Sequence, residues 1–98
     1  MVKHMIVWKL NDELENKAER AKEIKAALEG LEGKIEGLVK MSILIQPMPA
    51  STGDIMMDST FESAEALAAY QKHPLHVAVA DGLVCPSVSL RLSFDYQC

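Results

Sequence analysis

Hydrophobic and polar positions alternate from Met1 to Leu10. His4, Ile6, Trp8 and Leu10 share one face, and Lys3, Met5, Val7 and Lys9 share the other, the period of a β-strand. Both faces carry apolar residues, which suits a sheet covered by helices on one side and by a partner on the other. Asn11 or Asp12 then caps a helix. Its stripe is Leu14, Ala18, Ala21, Ile24, Leu28 and Leu31, at steps of three and four. Glu19, Lys22 and Lys25 fall off that stripe, on a solvated face. Gly30 and Gly33 end the helix, and Ile35 to Leu38 is a turn.

Val39 to Gln46 is the second strand, with Met41, Ile43 and Ile45 opposing Ser42 and Leu44. Pro47 to Gly53 has the prolines and small polar residues of a hairpin loop. Asp54 to Phe61 is the third strand, with Asp58 expected as a strand-edge charge. Val88 to Tyr96 is the fourth. Val88, Leu90, Leu92, Phe94 and Tyr96 alternate there with Ser89, Arg91, Ser93 and Asp95. In an isolated domain the apolar set of this strand would meet the helices; in a sheet-to-sheet dimer either face can do so. The order is βαββαβ with a split second helix, the ferredoxin-like α+β pattern with a four-stranded antiparallel sheet.

The split helix holds the densest group of proton-moving side chains. Ser63 is a suitable N-cap for a helix from Ala64. Pro74 has no amide donor and disfavours a helical His73, so that helix stops near Lys72. A second short helix is expected from about Leu75 to Leu83, with Gly82 near its end. Tyr70 and His73 are one turn apart, and His76 lies just past the break, where its side chain can aim back across the first helix. Histidine both takes and gives a proton near neutral pH. A tyrosine hydroxyl can bind a carbonyl oxygen and stabilise an enolate. A pocket lined by Ile6, Trp8, Ile55 and Met57 would exclude water. Condensation, cyclisation, tautomerisation or isomerisation of a carbonyl compound needs only this set. The structural alternatives are a Tyr70 that merely packs its ring, a His73 that bonds a local backbone group, and a His4 that is a core residue with one satisfied hydrogen bond.

Length and charge narrow the field. The 98 residues form one domain, and a domain this small gains from association. The net charge of −4 is spread without runs, so neither nucleic acid nor a membrane surface is an expected partner. No stretch reads as a targeting or membrane-spanning segment. Cys85 and Cys98 lack metal-like spacing and read as free thiols of a cytoplasmic protein. A zinc site of His73 and His76 with His4 or Asp58 is poorly set, because the proline separates the pair. No glycine-rich strand-to-helix turn offers a flavin or nicotinamide site. No metal and no cofactor are expected.

The run Phe61-Glu62-Ser63, then Tyr70, then His73-Pro74-Leu75-His76-Val77, then Asp81, resembles the stress-responsive dimeric A/B barrel (Dabb) family. So do Val2-Lys3-His4 in the first strand and Phe94-Asp95-Tyr96 in the last. The resemblance spans essentially residues 1–98. It implies a ferredoxin-like fold that dimerises sheet to sheet into an α/β-barrel, and a kinship with a cofactor-free plant polyketide cyclase. By that match Tyr70 and His76 bind substrate and act as general acid and base, and His4 lies beside the active site. Asp95 falls on the pocket side, close to His76, where an acid would orient the imidazole. Arg91, on the same side, would attract a carboxylate or enolate. The substrate-binding set is therefore His4, Ile6, Trp8, Met57, Arg91 and Asp95. Trp8 narrows the space, which argues against a long-chain substrate. Two functions follow: a cofactor-free cyclase- or isomerase-type homodimer acting on a small carbonyl compound, or a non-catalytic, stress-associated or ligand-binding dimer.

Overall fold

The computed structural model describes residues 1–98. Strand β1 (Val2–Leu10) leads into helix α1 (Lys17–Glu29). Strands β2 (Leu38–Leu44) and β3 (Ile55–Phe61) follow, then helix α2 (Ala64–Lys72). Helix α3 (Pro74–Val79) runs on through a π-helical turn at Ala80–Val84 and a last turn at Cys85–Ser87 into strand β4 (Val88–Gln97). The sheet is antiparallel with order β2-β3-β1-β4, the ferredoxin-like arrangement. No helix is long and apolar enough to cross a membrane.

One face of the sheet carries the helices. His4, Ile6, Trp8 and Leu10 of β1, Met41 and Ile43 of β2, and Ile55, Met57, Ser59 and Phe61 of β3 are buried there. Ile24, Leu28 and Leu31 close over them from α1 and the turn after it, and Leu67 and Tyr70 from α2. Gly37 makes this approach possible. Its φ is +87°, and a Cβ there would lie 2.5 Å from the Ala66 Cβ of α2.

The first helix starts later than its sequence suggests. Asn11 does not cap it. Its amide donates to the Ser87 carbonyl at 2.8 Å and its Nδ2 to the Pro86 carbonyl at 3.1 Å, tying the end of β1 to the start of β4. The N-cap position falls to Asn16, whose side chain makes no capping bond. Ala18 is exposed. Lys25 is not solvated as expected: its Nζ donates to Glu29 at 2.9 Å and to the Ile43 carbonyl at 2.6 Å. Glu29 also accepts from the Ile43 amide at 2.9 Å, and Glu32 from the Met41 amide at 2.7 Å. These three side chains occupy the outward-facing backbone groups of edge strand β2. Burial pushes the Glu29 carboxyl up, but the Ile43 amide and the Lys25 ammonium together outweigh it and hold it below its usual range.

Two acids also move from their expected places. Asp58 lies on a central strand, where Lys3 Nζ sits 2.5 Å from it on the outer face of the sheet. Asp54 precedes β3 rather than opening it. Its amide donates to the Trp8 carbonyl at 2.9 Å and its carboxylate accepts from the Leu10 amide at 2.8 Å, which locks the loop end against β1.

Strand β4 takes the orientation that an isolated domain would not. Leu90, Leu92, Phe94 and Tyr96 point away from the helices and are 51%, 62%, 69% and 44% exposed. That leaves a bare apolar face on β4, and Leu44 on the opposite edge strand β2 is also 55% exposed.

Candidate functional site

The proline break is built as its residues dictate. Ser63 accepts from the Ala66 amide at 3.1 Å and caps α2. His73 is extended, with φ −66° and ψ 133°, as the residue before proline prefers. Its Nδ1 accepts from the Leu75 amide at 3.1 Å, so it caps α3. The expected single helix from Leu75 to Leu83 is instead α3 plus the π-turn. Gly82 sits inside that turn and does not end it. The extra residue of a π-turn re-aims the chain at functional sites in many proteins. Here Ala80 and Val84 become walls of a cavity.

That cavity, about 130 Å³, lies between the sheet and the helices. β1 supplies His4, Ile6 and Trp8; β3 supplies Met57; α1 supplies Leu28. Tyr70 and Gln71 come from α2, His76 from α3, and Cys85, Val88 and Arg91 from the chain entering and forming β4. So Tyr70, His76, His4, Ile6, Trp8, Met57 and Arg91 meet at one place. Ile55 and Ser59 do not line it. Ile55 packs in the core beyond it, and Ser59 is fully buried with its hydroxyl donating to the His4 carbonyl at 2.6 Å. Leu28, Gln71, Ala80, Val84, Cys85 and Val88 were not foreseen. Leu28 was legible as a core position, but the four from Ala80 to Val88 depend on the π-turn, which has no sequence signal.

Asp95 is placed differently from expectation. It is the cross-strand partner of His4, and its carboxylate accepts from His4 Nδ1. It stands behind His4 rather than beside His76 or in the cavity wall. The bond keeps a proton on Nδ1 and fixes the orientation of the His4 ring. His4 is only 3% exposed, so it is both a satisfied core residue and a cavity wall.

The other two groups lack such partners. The Tyr70 ring is packed 4.9 Å from Phe61 and 4.2 Å from His76, centroid to centroid. Its hydroxyl is buried with no hydrogen-bond partner in the protein. Burial pushes that hydroxyl far above the usual tyrosine range, so it remains a donor at any working pH. The hydrogen-bond partner of His76 Nδ1 is the Gln71 carbonyl at 3.4 Å. A carbonyl only accepts, so Nδ1 carries the proton and Nε2 is left as the base. Burial pushes the His76 imidazole below its usual range. The Gln71 carbonyl and Asp81 act against that, and His4 and Arg91 add to it. A neutral imidazole and a neutral phenol thus share one largely apolar space. No three His, Cys, Asp or Glu side chains gather as a metal site would require.

The family model of the stress-responsive A/B barrel domain matches residues 2–98. Among solved structures, a protein of Bacteroides fragilis superposes with a TM-score of 0.90 at 29% identity, over 99% of this chain and 95% of its own. It is described as dimeric, of unknown function, with a ferredoxin-like fold. A protein of Arabidopsis thaliana superposes with a TM-score of 0.84 at 27% identity, over 100% of this chain and 95% of its own. A hydroxynitrile lyase of Passiflora edulis shares the fold, with a TM-score of 0.80 at 16% identity over 97% of this chain and 90% of its own. Comparison with curated proteins finds no match.

Proposed function

The chain belongs to the stress-responsive A/B barrel (Dabb) family, and from that premise we propose that it is a homodimer whose cavity carries out cofactor-free proton transfer on a small carbonyl compound. His76 Nε2 removes a proton from the carbon next to the carbonyl. The Tyr70 hydroxyl donates to the carbonyl oxygen and holds the enolate that forms. Preorganised donors aimed at developing charge supply much of the acceleration in such reactions. His4, held by Asp95, lines the same space as a second polar wall. Returning the proton to another atom would complete an isomerisation, and attack of the enolate on a second carbonyl would complete a cyclisation.

The observation that carries this reading is the buried, unpartnered Tyr70 hydroxyl beside a neutral His76. A donor buried without a partner costs roughly 1–3 kcal/mol, so it is retained at a stability loss that a bound ligand would remove. The homodimer is supported by the bare apolar face of β4 and by neighbours described as dimeric.

The test is exchange of the α-protons of small β-dicarbonyl compounds in heavy water, followed by NMR. Exchange above background is expected with the wild-type chain. It should fall about 100-fold or more in His76→Ala and about tenfold or more in Tyr70→Phe, the range for loss of a general base and of an oxyanion donor. A second reading, a ligand-binding dimer without turnover, draws on the Gln71 carbonyl contact, which suits a His76 that steadies the helix break. It predicts no exchange at all, a less stable His76→Ala, and ligand binding that survives the substitution.

A further inference from the structure

The chain has only two arginines, and they are used differently. Arg20 is engaged: its guanidinium donates to Ser87 Oγ at 2.6 Å and lies 4.0 Å from Glu23. The Arg91 side chain has no acid within ion-pair distance and no hydrogen bond to protein. It stands opposite Trp8 in the strand register and lines the cavity. No aspartate or glutamate lines that cavity. In a chain of net charge −4, this is a local pocket with one fixed cation and no anion. At its inner wall lies a second group without a partner, the buried Tyr70 hydroxyl.

An uncommitted guanidinium beside an apolar cavity and an uncommitted hydroxyl within it are complementary to a molecule with a charged end and a neutral oxygen. We infer that the ligand of this cavity is a small monoanionic carboxylate carrying a second carbonyl, a short β-keto acid, with its carboxylate on Arg91 and its ketone oxygen on Tyr70. This deepens the proton-transfer reading and rests on it for the role of Tyr70. The planar fork of arginine fits a carboxylate with two parallel hydrogen bonds. Arg91 is itself exposed, so the guanidinium pays little to stay unpaired until a ligand arrives. The apolar walls of Ile6, Trp8 and Met57 then enclose the carbon between the two oxygens, where His76 can reach it. A cavity of about 130 Å³ admits acetoacetate and excludes long acyl chains.

The experiment compares acetoacetate with its neutral methyl ester, measuring affinity by NMR titration and α-proton exchange in heavy water. Acetoacetate should bind wild-type protein more tightly than the ester. Arg91→Gln should weaken acetoacetate about tenfold to a hundredfold, the scale of one charge-assisted pair, and leave the ester unchanged. Arg91→Lys should recover part of the loss. Equal binding of acid and ester, unaltered acetoacetate binding in Arg91→Gln, or no binding of the acid would each overturn the inference. The two levels fail separately. Arg91-dependent binding without exchange removes the proton-transfer reading and keeps the anion site. Exchange of acetoacetate that ignores Arg91 removes the anion site and keeps the proton transfer.

Discussion

The inner face of β1 and the outer face of β4 are neighbours in one sheet with opposite treatments. On β1, Ile6, Trp8 and Leu10 are at most 5% exposed, and even His4 is buried, with a carboxylate to satisfy it. On β4, Leu92 and Phe94 are more than 60% exposed, while Arg91 lines the cavity and Asp95 reaches His4 on the helix side of the sheet. An open apolar face, with the strand's polar residues on the helix side, would be a poor design for a lone domain. The inversion makes sense if the polar side of β4 is reserved for Arg91 and Asp95, and the apolar side for a second body. In the proposed dimer, strand polarity would report what each face touches rather than which face is inside the subunit.

The sharpest way to break that contrast is a charge on the outer face. Phe94→Asp should shift the dimer to monomer, weakening association by about a hundredfold or more, because an unpaired carboxylate would be desolvated. Light scattering across a concentration series checks it; a dimer that persists at the wild-type midpoint would mean this face is not the contact. A matched pair of truncations comes next. Met57→Ala on the inner face should cost about 2–5 kcal/mol. Leu92→Ala, on the outer face, should leave the unfolding free energy of the dissociated chain within about 0.5 kcal/mol. Urea titrations at low protein concentration separate the two.

Asp95→Asn tests the inward polar side. Removing the charge from the His4 pair should destabilise the fold by roughly 1 kcal/mol and change the His4 ring shifts, while Tyr70 and His76 keep theirs. The smallest effect is on pH dependence. The His76 imidazole is depressed in the folded state, so the unfolded chain binds its proton more readily. That contribution is full above the ordinary histidine pKa and is lost as pH falls through it toward the folded value. His76→Gln should flatten this part of the stability curve, and an unchanged slope would assign it to other groups.

How much of this was legible beforehand depends on how local each feature is. The strands, the proline break and the Ser63 cap follow from period and from backbone chemistry within a few residues, and they emerge within a residue or two of their expected limits. The start of α1 does not, because Asn11 is drawn away by Pro86 and Ser87, contacts across most of the chain. The side of β4 could not be chosen from its alternation, since both answers satisfy the same pattern. The partner of Asp95 is a matter of strand register, which places it against His4 and not His76. The cavity walls from Ala80 to Val88 come from one extra residue in a helical turn.

The three side chains of α1 and the turn after it that occupy the border of β2 have a consequence in acid. An open strand border is a template on which further chains can add, and charged groups are a common guard against it. Glu29 is such a guard in full only while ionised. The depressed Glu29 carboxyl keeps the guard in place through mild acidity and gives it up as pH falls through the folded value. Below that point the Ile43 amide loses its charged acceptor, and the flanking run from Leu38 to Ile45 is rich in β-forming residues. Strong acid should therefore lead this protein to aggregate along β2, before its core has melted.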